Sequence, residues 1–450
     1  MLIAKILYKS FYWKIFQFLA SLIINIIFVR ALRSSLSAEL YSLSYLLALA
    51  TSFFTLGLDI SLNFYLSRKL ISPAMARRIA LAVVALALLV SLPLVGLLYR
   101  PLSYPGISPQ KILLFAALNI AGNLLTVLSG AIFTAGGRNF LPVRISFQVN
   151  CLVILLSLLS SMVFSGSRLA EMLFWIYFSA SLLQGLFLFV GSRRYDPPTA
   201  NANTNIAPTA DPSTAANTNT GSLALLPAIL RFSLAAFIAN FIFFAASRTG
   251  LYLLPYRAEP SSLGNYIQAF KIVEYMTTLA AFIYYPFMAL VASENKEKMN
   301  GMVLFMVRLS NTFVLIAAIL LLVTGRFLFP LVFGQSFNQM YALFIWLIPG
   351  VFAACSSSFF TAYFFGKGNV KYNLVSACIL LSSALVFFFL FAGTWGLKGA
   401  ACAYSLAAMI SLLYDCLVFK KFSDYQVKDL LFARKADIDY IRSFVKQLLS

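Results

Sequence analysis

The chain of 450 residues is 61% hydrophobic and only 11% charged, contains no histidine, and has a mean hydropathy of +0.88. A soluble globular chain is about a quarter charged and about half apolar, so this one has too little polar surface to face water all round, and its solvent is mostly lipid. The missing histidine excludes a His-based triad and histidine-ligated zinc, and the net charge of +20 is the imbalance that cytoplasmic loops of membrane proteins collect, not a nucleic-acid footprint.

The first apolar run follows Lys5, Lys9 and Lys14 and has no small-residue cleavage site, so it is expected to remain as the first span. Stretches long enough to cross a bilayer fall near 11–29, 40–66, 79–99, 111–134, 144–164 and 170–191. After a gap, six more follow near 226–254, 264–290, 302–323, 338–365, 372–392 and 397–419. Twelve spans put both termini on one side. If that side is the cytoplasm, the inner segments hold 21 of the 34 Lys and Arg and the outer segments 8, so the positive-inside rule predicts both termini to be cytoplasmic. Cys151, Cys355, Cys378, Cys402 and Cys416 all lie within apolar runs and have no CxxC spacing, which reads as small core residues.

Between the sixth and seventh spans, Tyr195–Ser222 is almost entirely Pro, Ala, Asn, Thr and Ser, with no periodic apolar face, and is expected to be a flexible cytoplasmic linker. The chain then divides into an N-terminal six-helix lobe (1–194), the linker (195–222), a C-terminal six-helix lobe (223–421) and a tail (422–450). In the tail, Val427, Leu430, Leu431, Ile438, Ile441, Val445 and Leu448 are spaced as on an amphipathic helix lying on the inner membrane face. Weak internal matches support two repeats. Ala131–Phe133 with Gly137–Asn139 recurs as Ala362–Phe364 with Gly368 and Asn369, an offset of 231. Tyr41 matches Tyr266 at 225, and Gly166 with Ala170 matches Gly396 with Ala400 at 230. The expected fold is therefore all-α: a polytopic membrane protein of about twelve transmembrane helices in two six-helix lobes around a central cavity, suited to alternating access.

Several stretches carry a family resemblance. They are Pro227–Leu254 with Ser262–Tyr275, FGQSF at Phe333–Phe337, YFFGKGNVKYNLV from Tyr363, TWGLKGAACAYSLA from Thr394, and Leu36–Leu70 in the first half. Together they resemble the polysaccharide-transporter branch of the multidrug/oligosaccharidyl-lipid/polysaccharide exporter superfamily, the O-antigen and oligosaccharide flippases. The resemblance implies a transporter, not an enzyme, with no cofactor. It would reside in the bacterial cytoplasmic (inner) membrane and translocate undecaprenyl-pyrophosphate-linked oligosaccharide for surface polysaccharide such as lipopolysaccharide. Its partners would be that lipid-linked oligosaccharide, membrane lipids and polysaccharide assembly proteins. Many relatives carry an acidic residue shortly after the position of Arg248, whereas Thr249 and Gly250 follow here.

A flippase forms no covalent bond, so the informative residues are charges within spans, where a central Lys or Arg is disfavoured by at least about 2.5–3.5 kcal/mol. Arg248 lies near the outer end of the seventh span; Lys271 and Glu274 lie in the eighth, three residues apart on one helical face. Two readings are open. The Lys-Glu pair is mutually neutralising and structural, or Arg248 and Lys271 take the pyrophosphate while Glu274 holds Lys271 in the empty site or binds a coupling cation. Arg30, at the outer end of the first span, is either a further substrate-binding partner or an interfacial anchor. Lys14, Arg308, Asp59 and Asp415 are read as snorkelling to the inner interface, Asp415 beside Lys420 or Lys421. Amides within spans, among them Asn25, Asn119, Asn123, Asn150, Gln148 and Gln268, are helix-to-helix bonds by default.

Three other functions compete. A cation-coupled multidrug exporter of the same superfamily requires an intramembrane carboxylate in the first half, where Asp59 is the candidate. A membrane glycosyltransferase or polymerase acting on lipid-linked sugars requires a sizeable outer loop, and the outer loops are short. A peptidoglycan-precursor flippase shares both fold and logic.

Overall fold

Helices that are apolar on every face are stable only where lipid and neighbouring helices surround them, because hydrocarbon leaves no backbone polar group unpaired without a large cost. The computed structural model describes residues 2–67, 70–98, 108–138, 140–193, 226–293, 296–367 and 369–423, and they are built of such helices. The linker 195–222 and nearly all of the tail 422–450 lie outside them. In chain order the helices are α1 (Leu2–Thr55), α2 (Leu58–Ser67), α3 (Pro73–Leu98), α4 (Pro109–Ala135), α5 (Phe140–Val163) and α6 (Gly166–Arg193). After the linker come α7 (Leu226–Ser247), α8 (Thr249–Leu253), α9 (Pro260–Ser293), α10 (Lys296–Phe333), α11 (Met340–Gly366) and α12 (Val370–Lys420).

Helices α1 and α12 have 54 and 51 residues. At the α-helical rise each would run roughly 80 Å, more than twice the hydrocarbon thickness. Each is instead two helices meeting at one non-helical residue, Arg33 (φ 58°) in α1 and Gly396 (φ 58°) in α12. The separation expected between the first two spans, at residues 30–39, is therefore helical except at Arg33. The expected continuous span 40–66 is interrupted at Leu56 and Gly57, where φ is 46° and 67°, before the chain resumes as α2. Among the described residues, eight helices are long and apolar enough to cross a membrane, and α7 with α8 forms a further span bent by 67°. With each kinked helix taken as two spans, and with the 34-residue α9, the protein is the all-α, multi-pass membrane protein of twelve spans that hydropathy predicted. Its exterior agrees: Leu97 is 78% exposed, Met162 81% and Phe327 78%, an arrangement that lipid tolerates and water does not.

The chain forms two compact units. The first comprises 1–244, 255–264 and 332–336; the second comprises 245–254, 265–331 and 337–450. Within the first unit, α4 begins at a capped start, where the Ser108 side chain accepts from the Lys111 backbone N–H and Pro109 occupies the first turn. It then packs along α6 with almost no gap. A Cβ at Gly185 would stand 2.4 Å from the Gly122 carbonyl oxygen, so small residues let the two backbones touch. Above this contact Phe115 stacks on Phe178 at 5.1 Å and meets Trp175 at 4.9 Å. Tyr177 in turn is 2.9 Å from the Ser44 hydroxyl. Leu58, Leu62 and Leu66 of α2 pack with Ala76, Leu128, Ile132 and Ile229. The Ser61 and Ser233 hydroxyls lie 2.6 Å apart, tying the first part of α7 to α2. Asn150 donates to Ser21 Oγ at 3.0 Å, a helix-to-helix bond of the kind expected, whereas Asn123 bonds Asn119 within α4.

In the second unit, α11 and both limbs of α12 pack together. Val307, Phe359, Phe360, Tyr363, Val418 and Phe419 form one buried cluster, and Ala246, Ala353, Leu380, Ala384, Ala407 and Ala408 another. Gly166 and Gly396, matched by the repeat offset, have φ of 59° and 58°, a left-handed backbone that glycine adopts without a Cβ clash. Tyr41 and Tyr266, matched likewise, are both buried, at 2% and 1% exposure.

The α4–α6 contact generates a prediction. Gly185→Ala should destabilise the protein by about 1–3 kcal/mol, the usual cost of overpacking, seen as a lowered Tm in detergent. Gly130→Ala, on the same helix as Gly122 but with no atom within 4 Å of the added Cβ, should leave Tm within error of the parent.

Candidate functional site

The seventh span does not run straight through. Helix α7 stops at Ser247, Arg248 takes φ −120° and ψ 15°, and α8 begins at Thr249. A break in a transmembrane helix frees backbone groups, which nearby side chains and the next turn must satisfy. Here the Arg248 N–H donates to the Ala245 carbonyl at 3.2 Å, the Leu251 N–H donates to the Arg248 carbonyl at 2.9 Å, and the Thr249 hydroxyl donates to the Ala246 carbonyl at 3.0 Å. The break therefore costs few backbone bonds, and it sets an arginine at the corner.

That arginine forms an ion pair with Glu274 of α9 at 2.8 Å, both side chains being about a quarter exposed (23% and 24%). The sequence suggested that Glu274 holds Lys271, its neighbour one turn away. Glu274 does act electrostatically on Lys271, but its ion-pair partner is Arg248, on another helix. Three of the four expected site residues are thus brought together in the second unit: Arg248, Lys271 and Glu274. The fourth, Arg30, belongs to the first unit and is exposed three residues before the kink at Arg33.

Two tyrosines complete the cluster, and the sequence reading passed over both. Tyr252, one helical turn after Arg248, has a buried hydroxyl with no hydrogen-bond partner and feels the charges of Arg248 and Glu274. Tyr404 of α12 feels the same two charges, and its ring meets Phe270 edge-on at 5.0 Å. The i, i+4 spacing of Arg248 and Tyr252 was available as a signal; nothing in the sequence joined Tyr404 to them. On α9, Asn265 and Gln268 are buried at 2% and 1% exposure, extending a polar stripe toward Lys271. Asn265 Oδ1 accepts the Gln339 N–H at 3.1 Å.

Such a cluster can exchange partners. The Arg248 guanidinium can turn its planar fork from Glu274 to another oxyanion. A cavity of about 390 Å³ elsewhere, lined by Ile145, Gln148, Val149, Leu152, Phe187 and Val190, is apolar apart from Gln148 and offers no counter-charge to an anion.

The other charges expected within spans also have definite places. Asp59 sits in the first turn of α2, where its charge complements the helix dipole. Asp415 is buried at 1% exposure, and Lys420 and Lys421 are exposed and make no ion pair with it, so it does not snorkel. Glu39, which hydropathy placed just outside the second span, lies inside the second limb of α1 and is 4% exposed.

The ion pair can be tested directly. Arg248→Gln and Glu274→Gln should each lower Tm, and the double variant should recover most of the loss. A thermodynamic cycle should give a coupling of about 1 kcal/mol or more.

No protein-family model matches the sequence, and no curated protein matches it. Solved structures do share its fold. One is the lipid II flippase MurJ in an inward closed conformation, at 15% identity and a TM-score of 0.61, covering 95% of this chain and 89% of that one. Another is a multidrug resistance MATE family transporter of the MOP superfamily in an inward-facing conformation, at 14% identity and a TM-score of 0.67, covering 90% of this chain and 95% of that one. A third is a MOP superfamily transporter from Pyrococcus furiosus, described as having a binding pocket of reversed polarity, at 14% identity and a TM-score of 0.58, covering 94% and 97%. The similarity spans nearly the whole chain in each case. The protein has the fold of the MOP superfamily transporters, the multidrug/oligosaccharidyl-lipid/polysaccharide exporters that its sequence resembles.

Proposed function

We propose that the protein is a flippase that moves a lipid-linked oligosaccharide, carried on undecaprenyl pyrophosphate, across the bacterial cytoplasmic membrane by alternating access, for surface polysaccharide biosynthesis. The observation that carries this reading is the Arg248–Glu274 pair beside Lys271 at a broken helix. A translocated lipid keeps its tail in hydrocarbon and needs a polar path only for its headgroup. The negative centre of this headgroup is a pyrophosphate, which accepts charge-assisted hydrogen bonds from guanidinium and ammonium groups. In this reading Glu274 occupies Arg248 while no substrate is bound, and the pyrophosphate displaces it. Discontinuous helices at the substrate site are the usual device of secondary transporters. The lobes are 1–194 and 223–421, joined by the linker 195–222, with both termini and the tail 422–450 in the cytoplasm. Arg30, in the N-terminal lobe, is in this reading a further substrate-binding residue. The similarity to a lipid II flippase supports a lipid-linked cargo.

A drug exporter is the second reading, and Glu39 is the observation that favours it. A buried carboxylate in the first unit is what that reading requires, and the sequence offered only Asp59 for it. The two readings separate in one strain set. Deleting the gene should make lipid-linked oligosaccharide accumulate on the cytoplasmic face and abolish the surface polysaccharide. Arg248→Ala and Lys271→Ala should each lower polysaccharide display about tenfold at normal protein levels, the scale of one lost charged hydrogen bond. Arg248→Lys should retain more activity than Arg248→Ala. Normal display in both alanine variants, or lost drug resistance with intact polysaccharide, contradicts the proposal.

A further inference from the structure

The groove between α5 and α6 takes no part in the cationic site. It holds about 390 Å³ and is lined on α5 by Ile145, Gln148, Val149 and Leu152 and on α6 by Phe187 and Val190. These positions recur at three and four residues, so each helix contributes one face, and the groove belongs wholly to the first unit. Leu152, Phe187 and Val190 are exposed. The groove therefore opens outward, where an apolar concavity in a membrane protein meets lipid.

Its lining carries no charge, but two charges stand at one end. A two-residue connection joins α5 to α6, so the start of α5 and the end of α6 share one membrane surface. Arg144 immediately precedes Ile145, and Arg193 follows Val190 by three residues. Both are exposed. The Arg144 guanidinium lies over the Trp13 ring at 5.6 Å and that of Arg193 over the Phe189 ring at 5.4 Å. A guanidinium stacks by its face and donates from its edge, so the rings hold the two cations while leaving their N–H edges to an acceptor. Neither arginine joins the ion pairs of the described residues. Arg77 adds a third cation, donating to the Ser192 carbonyl at 3.0 Å. The one acidic residue of α3, α5 and α6 is Glu171, which is paired with Lys111 near the opposite end of α6.

Gln148 supplies an independent feature. It is exposed and lies one turn inward of Arg144, about 6 Å at the helical rise. An amide facing hydrocarbon is disfavoured unless it is hydrogen-bonded, and the ester carbonyls of a glycerophospholipid lie just below its phosphate. We propose that this groove binds one anionic glycerophospholipid of the phosphatidylglycerol class. Arg144 and Arg193 take the phosphate, the Gln148 amide N–H donates to an ester carbonyl, and an acyl chain lies along Val149, Leu152, Phe187 and Val190. Basic pockets between transmembrane helices bind anionic headgroups in this way. Two arginines without a carboxylate beside them repel the choline of a zwitterionic lipid, and the ester contact favours a glycerophospholipid over a polyprenyl phosphate, which has no ester. The groove is in the first unit, whereas Arg248 and Lys271 are in the second. The lipid is thus resident, not cargo, and the inference does not depend on what the protein transports.

The test titrates delipidated full-length protein in detergent with phosphatidylglycerol, phosphatidylcholine or undecaprenyl phosphate and counts bound lipids by native mass spectrometry. The first phosphatidylglycerol should bind at about a tenfold lower concentration than the first phosphatidylcholine, the scale of one charged hydrogen bond, and should raise Tm. Arg144→Gln combined with Arg193→Gln should erase that preference, whereas Arg168→Gln, at the other end of α6, should keep it. Gln148→Leu should weaken phosphatidylglycerol binding several-fold and leave undecaprenyl phosphate unchanged. Val190→Trp, which fills the groove, should abolish the tight binding while its Tm without lipid stays within error of the parent's, so that the loss is not a loss of fold. Equal affinity for the two glycerophospholipids, or a preference that survives the double arginine variant, overturns the inference. So does undecaprenyl phosphate binding more tightly than phosphatidylglycerol and losing its affinity in Val190→Trp. The flippase reading stands or falls separately, on the polysaccharide assays.

Discussion

A charge placed in hydrocarbon has to be neutralised or hydrated, and the ion pair of Arg248 with Glu274 is where this protein meets that demand most visibly. The pair dictates much around it. It needs a corner in the seventh span so that a guanidinium can reach α9, and the chain provides one by breaking between Ser247 and Thr249 with a bend of 67°. It gathers the hydroxyls of Tyr252 and Tyr404 within its field. It also leaves Lys271 beside a carboxylate already committed to Arg248.

The same constraint explains which parts of the structure the sequence made legible. Span number and fold class follow from the length of apolar runs, which packing does not alter. Gly166 and Gly396, matched in the sequence, both adopt a left-handed backbone, a conformation that leaves a compositional trace. The turn at Arg33 left no such trace: an arginine at φ 58° runs against local preference, so the expected outer loop was drawn too long. Glu39 fell outside the second span for the same reason, since hydropathy marks the edge of a span by its charges.

Partners were less legible than positions. Spacing along one helix offered Lys271 to Glu274, and only the packing of α8 and α9 within the second unit brings Arg248 to it. Asp415 stands five residues from Lys420, and so it read as an interfacial residue. Which face of a helix is buried depends on its neighbours, and here that face turns Asp415 inward among Ser357, Ser376 and Ser411. The aromatic residues show the opposite case. The abundant Phe side chains pack and face lipid as composition implies, while the two tyrosines near Arg248 are set apart by burial of their hydroxyls beside charge.

The central claim is that Arg248 and Lys271 recognise the pyrophosphate of a lipid carrier. The most direct measurement is the binding of undecaprenyl pyrophosphate and of undecaprenol to purified protein in nanodiscs, compared between the parent, Arg248→Ala and Lys271→Ala. The account predicts that the parent prefers the pyrophosphate strongly, and that each substitution weakens pyrophosphate binding about tenfold while leaving undecaprenol unaffected. Equal binding of the two lipids by the parent, or pyrophosphate binding unchanged in both variants, would contradict it.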